Sequence, residues 1–438
     1  FLPEAKSDSI TITADRHYVN LGKGSRFNSS DEQLNQIWEI ADRTFRTCSN
    51  IFFLDGAKRD RWVWSGDAYQ SYLINKYSFF NKEIVERTIL GLRGNDPVRQ
   101  HLNTIIDYSL YWLISIEDYY QTFRDREFLE NVYPKVESLL QYCNAQTNEY
   151  GFIEGKPGDW VYIDWAEFDV SGPLCAEQML LARAYQSVMA VRQVLEKSTY
   201  DLDSKFKQLK SNIFKFYWDK EKNGFIDSYE SGNRNVTKHA NIFAILFDYV
   251  DKEKQEKIKR HVLLNPEINE IHTPYFKFWE LEGMAKIGEY AYVLEQIKSY
   301  WGGMLDEGAT TFWEYYDPNE TGAKKYAMYG DKYGKSLCHA WGASPVYLIG
   351  RYLLGIRSTA PGYKSFEVAP QVDLFDEMTC TIPVGNGQVT IELTKKQLKV
   401  STDISGGRLR LADQSIPLPQ KQTVTIDLSI PEGGKKHG

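Results

Sequence analysis

Residues 55–67 read Asp-Gly-Ala-Lys-Arg-Asp-Arg-Trp-Val-Trp-Ser-Gly-Asp. Three carboxyls fall within thirteen positions, interleaved with two Arg, one Lys and two Trp. Sugar cleavage needs such a set: carboxyls to move protons or hold hydroxyls, and flat apolar rings to seat a pyranose. A surface loop braced by an Arg–Asp pair would show the same composition, because spacing alone fixes no site. A second cluster covers residues 308–317, Gly-Ala-Thr-Thr-Phe-Trp-Glu-Tyr-Tyr-Asp, where Glu314 stands in a run of four aromatics. A carboxyl packed among rings is desolvated, its neutral form is favoured, and its pKa rises toward neutrality. A third stretch, residues 158–169, repeats an acid–aromatic pair at Asp159-Trp160 and Asp164-Trp165. There a carboxylate would accept bonds from vicinal hydroxyls and an indole would stack on a ring face.

The first stretch resembles the signature of glycoside hydrolase family 78, the inverting α-L-rhamnosidases, roughly Asp-Cys-Pro-x-Arg-Glu-x-x-Gly-Trp-x-Gly-Asp. Asp55, Arg59, Trp64, Gly66 and Asp67 fall on it without gaps. The same family's Gly-Ala-Thr-Thr-x-Trp-Glu is intact from Gly308 to Glu314. Trp301-Gly-Gly-Met304 precedes it, Ser336-Leu-Cys-His-Ala-Trp-Gly-Ala-Ser-Pro345 follows, and Gly355–Gly362 is similar to the family's exit from its barrel. The resemblance runs from about residue 30 to about residue 395.

This resemblance implies an (α/α)6 catalytic barrel and release of terminal α-L-rhamnose by single-displacement inversion. Asp60 would be the general acid and Glu314 the general base. Asp55, Arg59, Asp67 and Asp159 would hold hydroxyls and orient the acid, and Trp64, Trp160, His339 and Trp341 would shape the pocket. Asp164, Trp165 and Glu167 are weaker candidates. His272, Tyr275 and Trp279 either line the cavity or pack inside the barrel, and packing is favoured for Trp279.

One departure bears on the chemistry. The family's acid is usually Glu and falls here on Asp60, whose carboxyl is set back by about 1.5 Å, one C–C bond. Gly56-Ala57 replaces the family's Cys-Pro, and Val63 its Gly before Trp. Trp62 and Trp64 would raise the Asp60 pKa, whereas Lys58, Arg59 and Arg61 would lower it. The alternatives are a sugar-binding protein that has lost catalysis, and a hydrolase or lyase for another pectic sugar.

Composition fits a carbohydrate-active enzyme. A chain of 438 residues exceeds one core, so a large barrel plus an accessory unit is expected. Aromatic residues reach 14%, with 29 Tyr and 11 Trp, which suits sugar-contacting surfaces. A formal net charge of −7 argues against a nucleic-acid partner. No apolar run reaches membrane-spanning length. The five Cys are scattered and form no CxxC, and no HExxH, P-loop or GxSxG is present, so no metal or cofactor is implied. The resemblance implies a rhamnose-containing oligo- or polysaccharide as partner and, from that substrate class, a periplasmic or secreted protein; the sequence leaves the oligomeric state open.

The elements that must position these residues read as mainly α. Ser29-Ser30-Asp31-Glu32 signals a helix start, and Leu34, Ile37, Trp38, Ala41 and Phe45 follow at helical spacing. Helices are also predicted over 103–123, 172–197, 203–218, 239–250, 274–300 and 339–354, and the Lys-rich 252–260 reads as a solvated helix face. Residues 9–20 alternate like a strand, so 1–28 is taken as a β-segment or linker from an upstream β domain. The barrel would occupy 29–357. Over 358–432, alternation at Val389/Ile391/Leu393, Leu409/Leu411 and Val424/Ile426/Leu428, with turns at Asn386-Gly387 and Gly406-Gly407, predicts a small antiparallel β-sandwich. Residues 433–438 read as a disordered tail.

Overall fold

The computed structural model describes residues 11–428 except 16, 17 and 23. In chain order its helices are α1 (Glu32–Cys48), α2 (Ser65–Asn75), α3 (Lys82–Arg93), α4 (Ile106–Phe123), α5 (Arg126–Asn144), α6 (Cys175–Val194), α7 (Tyr200–Tyr217), α8 (Lys238–Leu246), α9 (Lys252–Ile258), α10 (Pro274–Lys286), α11 (Tyr290–Gln296), α12 (Gly302–Asp306) and α13 (Ser344–Leu348). A wider-turned stretch, Ile297–Trp301, joins α11 to α12 into one rod.

Two kinds of helix alternate. Helices α1, α3, α5 and α7 carry one buried stripe each, such as Leu34, Ile37, Trp38, Ala41 and Phe45 on α1. Every residue of α2 and of α13 is buried, and α4, α6, α8 and α10 are buried nearly all round. A helix with no solvent face lies inside a second layer. The buried set touches in a closed circuit, α2–α4–α6–α8–α10–α13 and back to α2. This is an (α/α)6 toroid: six inner helices ringed by six outer ones, each pair a hairpin. The axis is filled by Tyr69, Tyr111 and Trp279, with Tyr111 and Trp279 parallel at 6.0 Å. Trp279 therefore packs in the core, as favoured from sequence.

Capping fixes where helices begin. Asp31 accepts from the backbone N–H of Leu34 at 3.1 Å and starts α1 where the Ser-Ser-Asp-Glu signal placed it. The predicted helix over 274–300 is broken at Gly288, whose φ of +92° ends α10 and lets the chain turn into α11.

Beyond the barrel, β4 to β11 form two sheets; the preceding strands in chain order are β1 (Arg26–Ser29) and a short pair, β2 (Trp218–Asp219) and β3 (Gly224–Phe225). One sheet runs β1-β6-β7-β8-β11, with β6 (Met378–Val384), β7 (Gly387–Leu393), β8 (Gln397–Thr402) and β11 (Thr423–Asp427). The other runs β10-β9-β5-β4, with β4 (Arg357–Ala360), β5 (Ser365–Val368), β9 (Gly407–Leu411) and β10 (Gln414–Leu418). Val389, Ile391 and Leu393 are buried as the alternation predicts. Val424 and Ile426 are only partly covered, because β11 is an edge strand. Three details differ from the sequence reading. Gly406-Gly407 is no hairpin turn, because the strands on either side, β8 and β9, lie in different sheets. The pair β5–β9 runs parallel. The β6–β7 turn is Gly385-Asn386, one residue early, with Gly385 at φ +56° and Val384 paired to Gly387.

Strand β1 pairs with β6, so the segment entering the barrel joins the sheet that leaves it. Of the alternating stretch 9–20, residues 9, 10, 16 and 17 lie outside the described residues. Residues 11–15 and 18–20 form no strand, and 11–15 are exposed. The expected tail at 433–438 also lies outside the described residues. Among the described residues, no helix is long and apolar enough to cross a membrane.

Candidate active site

One end of the ring holds a cavity of about 400 Å³. It is lined by Asp55, Arg59, Asp60, Trp64 and Asp67, by Glu314, His339 and Trp341, and by Trp160. Nine of the ten residues to which the resemblance gave a catalytic or substrate-binding role thus share one pocket. It also takes in Ile105, Tyr108, Tyr162, Trp165 and Tyr329. The lining comes from the N-terminal ends of inner helices and the segments preceding them: Asp67 in the first turn of α2, Tyr108 in that of α4, and residues 339–341 before α13.

Helices pack tightly beside the lining residue Tyr108. A Cβ on Gly66 would stand 2.4 Å from both Tyr108 Cε1 and the Tyr275 hydroxyl, so only glycine lets α2, α4 and α10 converge there. Tyr275 is fully buried behind the lining residue Trp341, with ring centroids 4.9 Å apart. His272 stays outside the lining; its carbonyl accepts from Tyr300 and from the N–H of Tyr316.

Asp55 is the template of the acid-bearing loop. Its Oδ2 accepts from the N–H of Asp60 at 2.8 Å and its Oδ1 from that of Trp62 at 2.9 Å. Its carbonyl accepts from Ala340 at 2.6 Å, and Ala57 N–H donates to the Cys338 carbonyl at 3.0 Å, which sews the loop to the segment carrying His339. Gly56 makes this possible, since a Cβ there would lie 2.9 Å from His339 Nδ1 and 2.8 Å from Ser336 Oγ. Asp60 is then left at the mouth, its side chain 47% exposed, with Arg59 Nη1 3.7 Å from Oδ1.

Glu314 is the opposite case, with a side chain only 3% exposed. Its segment is clamped between backbone bonds to Ser336 and to the indole of Trp341. The groups on its carboxyl are not the rings that flank it in sequence. Oε2 accepts from Arg59 Nη2 and from the Ser336 N–H at 3.1 Å, and Oε1 accepts from the Tyr329 hydroxyl at 2.8 Å. Phe312 and Trp313 are buried and absent from the pocket wall. Arg59 is fixed in turn by the Gly334 carbonyl at 2.9 Å and lies 4.3 Å from the Tyr329 ring centroid.

Asp67 and His339 form a buried pair. Asp67 Oδ1 lies 3.2 Å from His339 Nε2, and Oδ2 accepts from the Tyr108 hydroxyl at 3.1 Å. Burial pushes Asp67 up to about 7 and raises Asp55, while it lowers His339 and favours the neutral imidazole.

Asp159 is the exception among the sequence candidates. Its Oδ2 accepts from the Lys156 N–H at 2.7 Å and stands 3.8 Å from His101 Nε2, so the carboxyl braces its own loop outside the pocket. Asp164 is likewise structural: it meets His239 Nε2 at 2.9 Å and the Thr273 hydroxyl at 2.5 Å, tying the loop to α8 and α10. Glu167 is exposed. Trp160 does line the site, 42% exposed and packed against Tyr162 and Trp165. Tyr329 and Tyr108 were missed from sequence: Tyr329 lies outside the motif words, and Asp107-Tyr108 opens an apolar helical run in which a tyrosine reads as core.

Two buried acids lie at the same end of the ring. Asp107 accepts from the Tyr162 N–H at 3.3 Å and is pushed up to about 7 by burial; Glu177 is raised by burial and then by Asp107. An acid raised in the folded state binds a proton that the unfolded chain has released above about pH 4. Its contribution to stability is therefore present below about pH 4 and lost as pH rises through about 7. In Asp107→Asn the amide oxygen can still accept from Tyr162. We expect melting temperature to fall less steeply in this variant than in wild type between pH 4 and 8. Parallel melting curves across that range would refute the assignment.

Residues 22–353 match the model of the bacterial α-L-rhamnosidase six-hairpin glycosidase domain. The chain belongs to this family. The family-78 resemblance read from the motifs is thereby borne out, as is the helical barrel. A family-78 rhamnosidase of Bacillus sp. GL1 is 24% identical with a TM-score of 0.78, covering 90% of this chain and 43% of the Bacillus chain. A Klebsiella oxytoca rhamnosidase, solved with rhamnose bound, is 25% identical with a TM-score of 0.65 over 76% of this chain and 66% of its own. An Aspergillus terreus α-L-rhamnosidase is 14% identical with a TM-score of 0.71, over 93% and 50% respectively. The chain thus spans less than half of the Bacillus protein and about two thirds of the Klebsiella protein. No curated protein matches it.

Proposed function

We propose that this chain is the catalytic unit of an exo-acting, inverting α-L-rhamnosidase that works on plant polysaccharide or glycoside outside the cytoplasm. One observation carries the reading: Asp60 and Glu314 face a single cavity with the Arg59 guanidinium between them. Arg59 reaches both, which keeps the two carboxyls within about 9.5 Å, the upper spacing at which one water fits between acid and base.

In the reaction, Asp60 gives its proton to the glycosidic oxygen as the C1–O bond breaks. A water attacks C1 from the opposite face and its proton passes to Glu314. Asp60 at the mouth suits a leaving aglycone, and Glu314 at depth suits a water shielded from bulk solvent. The aromatic-filled barrel axis makes the site a pocket, which favours a chain-terminal sugar. Ile105 and Trp64 give apolar surface for the methyl group of a 6-deoxy sugar, and Asp55, Asp67 and His339 give polar groups in the same lining. The rhamnose bound to the Klebsiella relative agrees with that class.

The test is turnover of p-nitrophenyl α-L-rhamnopyranoside and of rhamnose-bearing pectic oligosaccharides, with the anomer of the released sugar followed by NMR. Initial release of β-L-rhamnose is expected. An initial α product would overturn inversion, and no turnover of any rhamnoside would overturn the activity.

A further inference from the structure

We propose that Tyr329 is a positioning residue for Glu314 and, with Trp165, the wall that closes the pocket on the base side. The claim rests on the reading of Glu314 as the general base.

Tyr329-Gly330 is a two-residue hairpin turn with φ of +54° and +77°, closed by reciprocal bonds between Met328 and Asp331 at 3.0 Å. These angles match the tight turn whose two central residues are both left-handed. The turn thrusts one tyrosine ring out of a segment that has little else in the site. Its ring meets Trp165 edge-on at 5.2 Å and covers the Arg59 guanidinium. Its hydroxyl reaches Glu314 Oε1. The turn is fastened by the acid-bearing loop itself, because Arg59 Nε donates to the Gly334 carbonyl and Lys58 Nζ to the Lys335 carbonyl at 3.1 Å.

A carboxylate offers about four acceptor sites, two per oxygen. Oε2 is filled by Arg59 and Ser336, whereas Oε1 takes Tyr329 alone. Oε1 is therefore the atom with room for the proton of the attacking water, and the Tyr329 hydroxyl fixes which way its remaining lone pair points. At 52% exposure, Tyr329 is held by these contacts rather than by burial.

The experiment compares Tyr329→Phe and Tyr329→Ala on a rhamnoside, with rhamnose affinity followed by tryptophan fluorescence. Phenylalanine keeps the ring over Arg59 and removes only the hydroxyl. We expect kcat to fall about tenfold or more, with KM and rhamnose affinity within about twofold of wild type. Alanine also removes the wall, so kcat should fall similarly while KM rises and rhamnose binds several-fold more weakly. Tyr329→Phe with wild-type kcat would overturn the positioning role, and Tyr329→Ala with unchanged affinity would overturn the wall. If wild type turned over no rhamnoside, the proposed activity and the positioning role would fall together, and the binding comparison would still decide the wall.

Discussion

Glutamine in place of Glu314 should lower kcat on any rhamnoside by about 10²–10⁴-fold, the usual contribution of general acid–base catalysis. The amide is the same size and its oxygen can still accept from Tyr329 or Ser336. It is far too weak a base to take a proton from water. Arg59 loses the nearer of its two charged partners in a site where Glu314 is almost fully enclosed, so a modest loss of thermal stability should accompany the kinetic loss. Initial rates on a natural oligosaccharide, with a thermal melt to confirm folding, check this. A folded variant retaining a tenth or more of wild-type kcat would remove Glu314 from the base role.

Asp60→Asn should show a different signature, because the need for an acid depends on the leaving group. On a rhamnosyl disaccharide, whose alcohol leaves poorly, kcat should fall by about 10²–10⁴-fold. On p-nitrophenyl rhamnoside the fall should be far smaller, because nitrophenolate leaves without full protonation. The shorter side chain is compatible with the role. Asp55 holds the Asp60 and Trp62 amides and so draws the loop inward, and the carboxyl stands at the mouth where an aglycone would lie. The rival is Asp67, which burial raises to about 7 and which is therefore substantially protonated near neutrality. Asp67 is buried, however, and both its oxygens are taken up by Tyr108 and His339. Native-substrate activity surviving in Asp60→Asn and lost in Asp67→Asn would transfer the acid role to Asp67.

What was legible in the sequence follows from what each signal measures. Helix α1 announced itself through a cap and one apolar stripe. Helix α2, Ser-Gly-Asp-Ala-Tyr-Gln-Ser-Tyr-Leu-Ile-Asn, is buried on every side, so small and polar residues pack as well as apolar ones and no stripe forms. Helix α5 carries Pro134 in its interior, a signal that argues against the helix it lies in. In the site, short words with chemical residues at fixed spacing were readable, which is why Asp55 to Asp67, Glu314 and His339 meet. Asp159 misled because an acid beside a tryptophan looks the same whether it faces a sugar or closes its own turn. Tyr329 was invisible because its role depends on a turn geometry that brings it to a glutamate fifteen positions away.

The circuit of inner helices has a seam where α13 returns to α2, and the pocket is built across it. Asp67 and His339 touch although 272 positions separate them, and the loop at Asp55–Ala57 is laced to Cys338–Ala340 on the other bank. Contacts between such distant stretches form only after the chain between them is in place. The acid-bearing loop is therefore made early in synthesis yet acquires its partners only when the sixth hairpin closes the ring. The β1–β6 pairing, just outside the barrel, acts as a clasp on the same seam. The bonds that join the two banks lie at this closing seam, while each hairpin is built from neighbouring stretches of chain, so local opening at the seam would reach the pocket before it reached the helices.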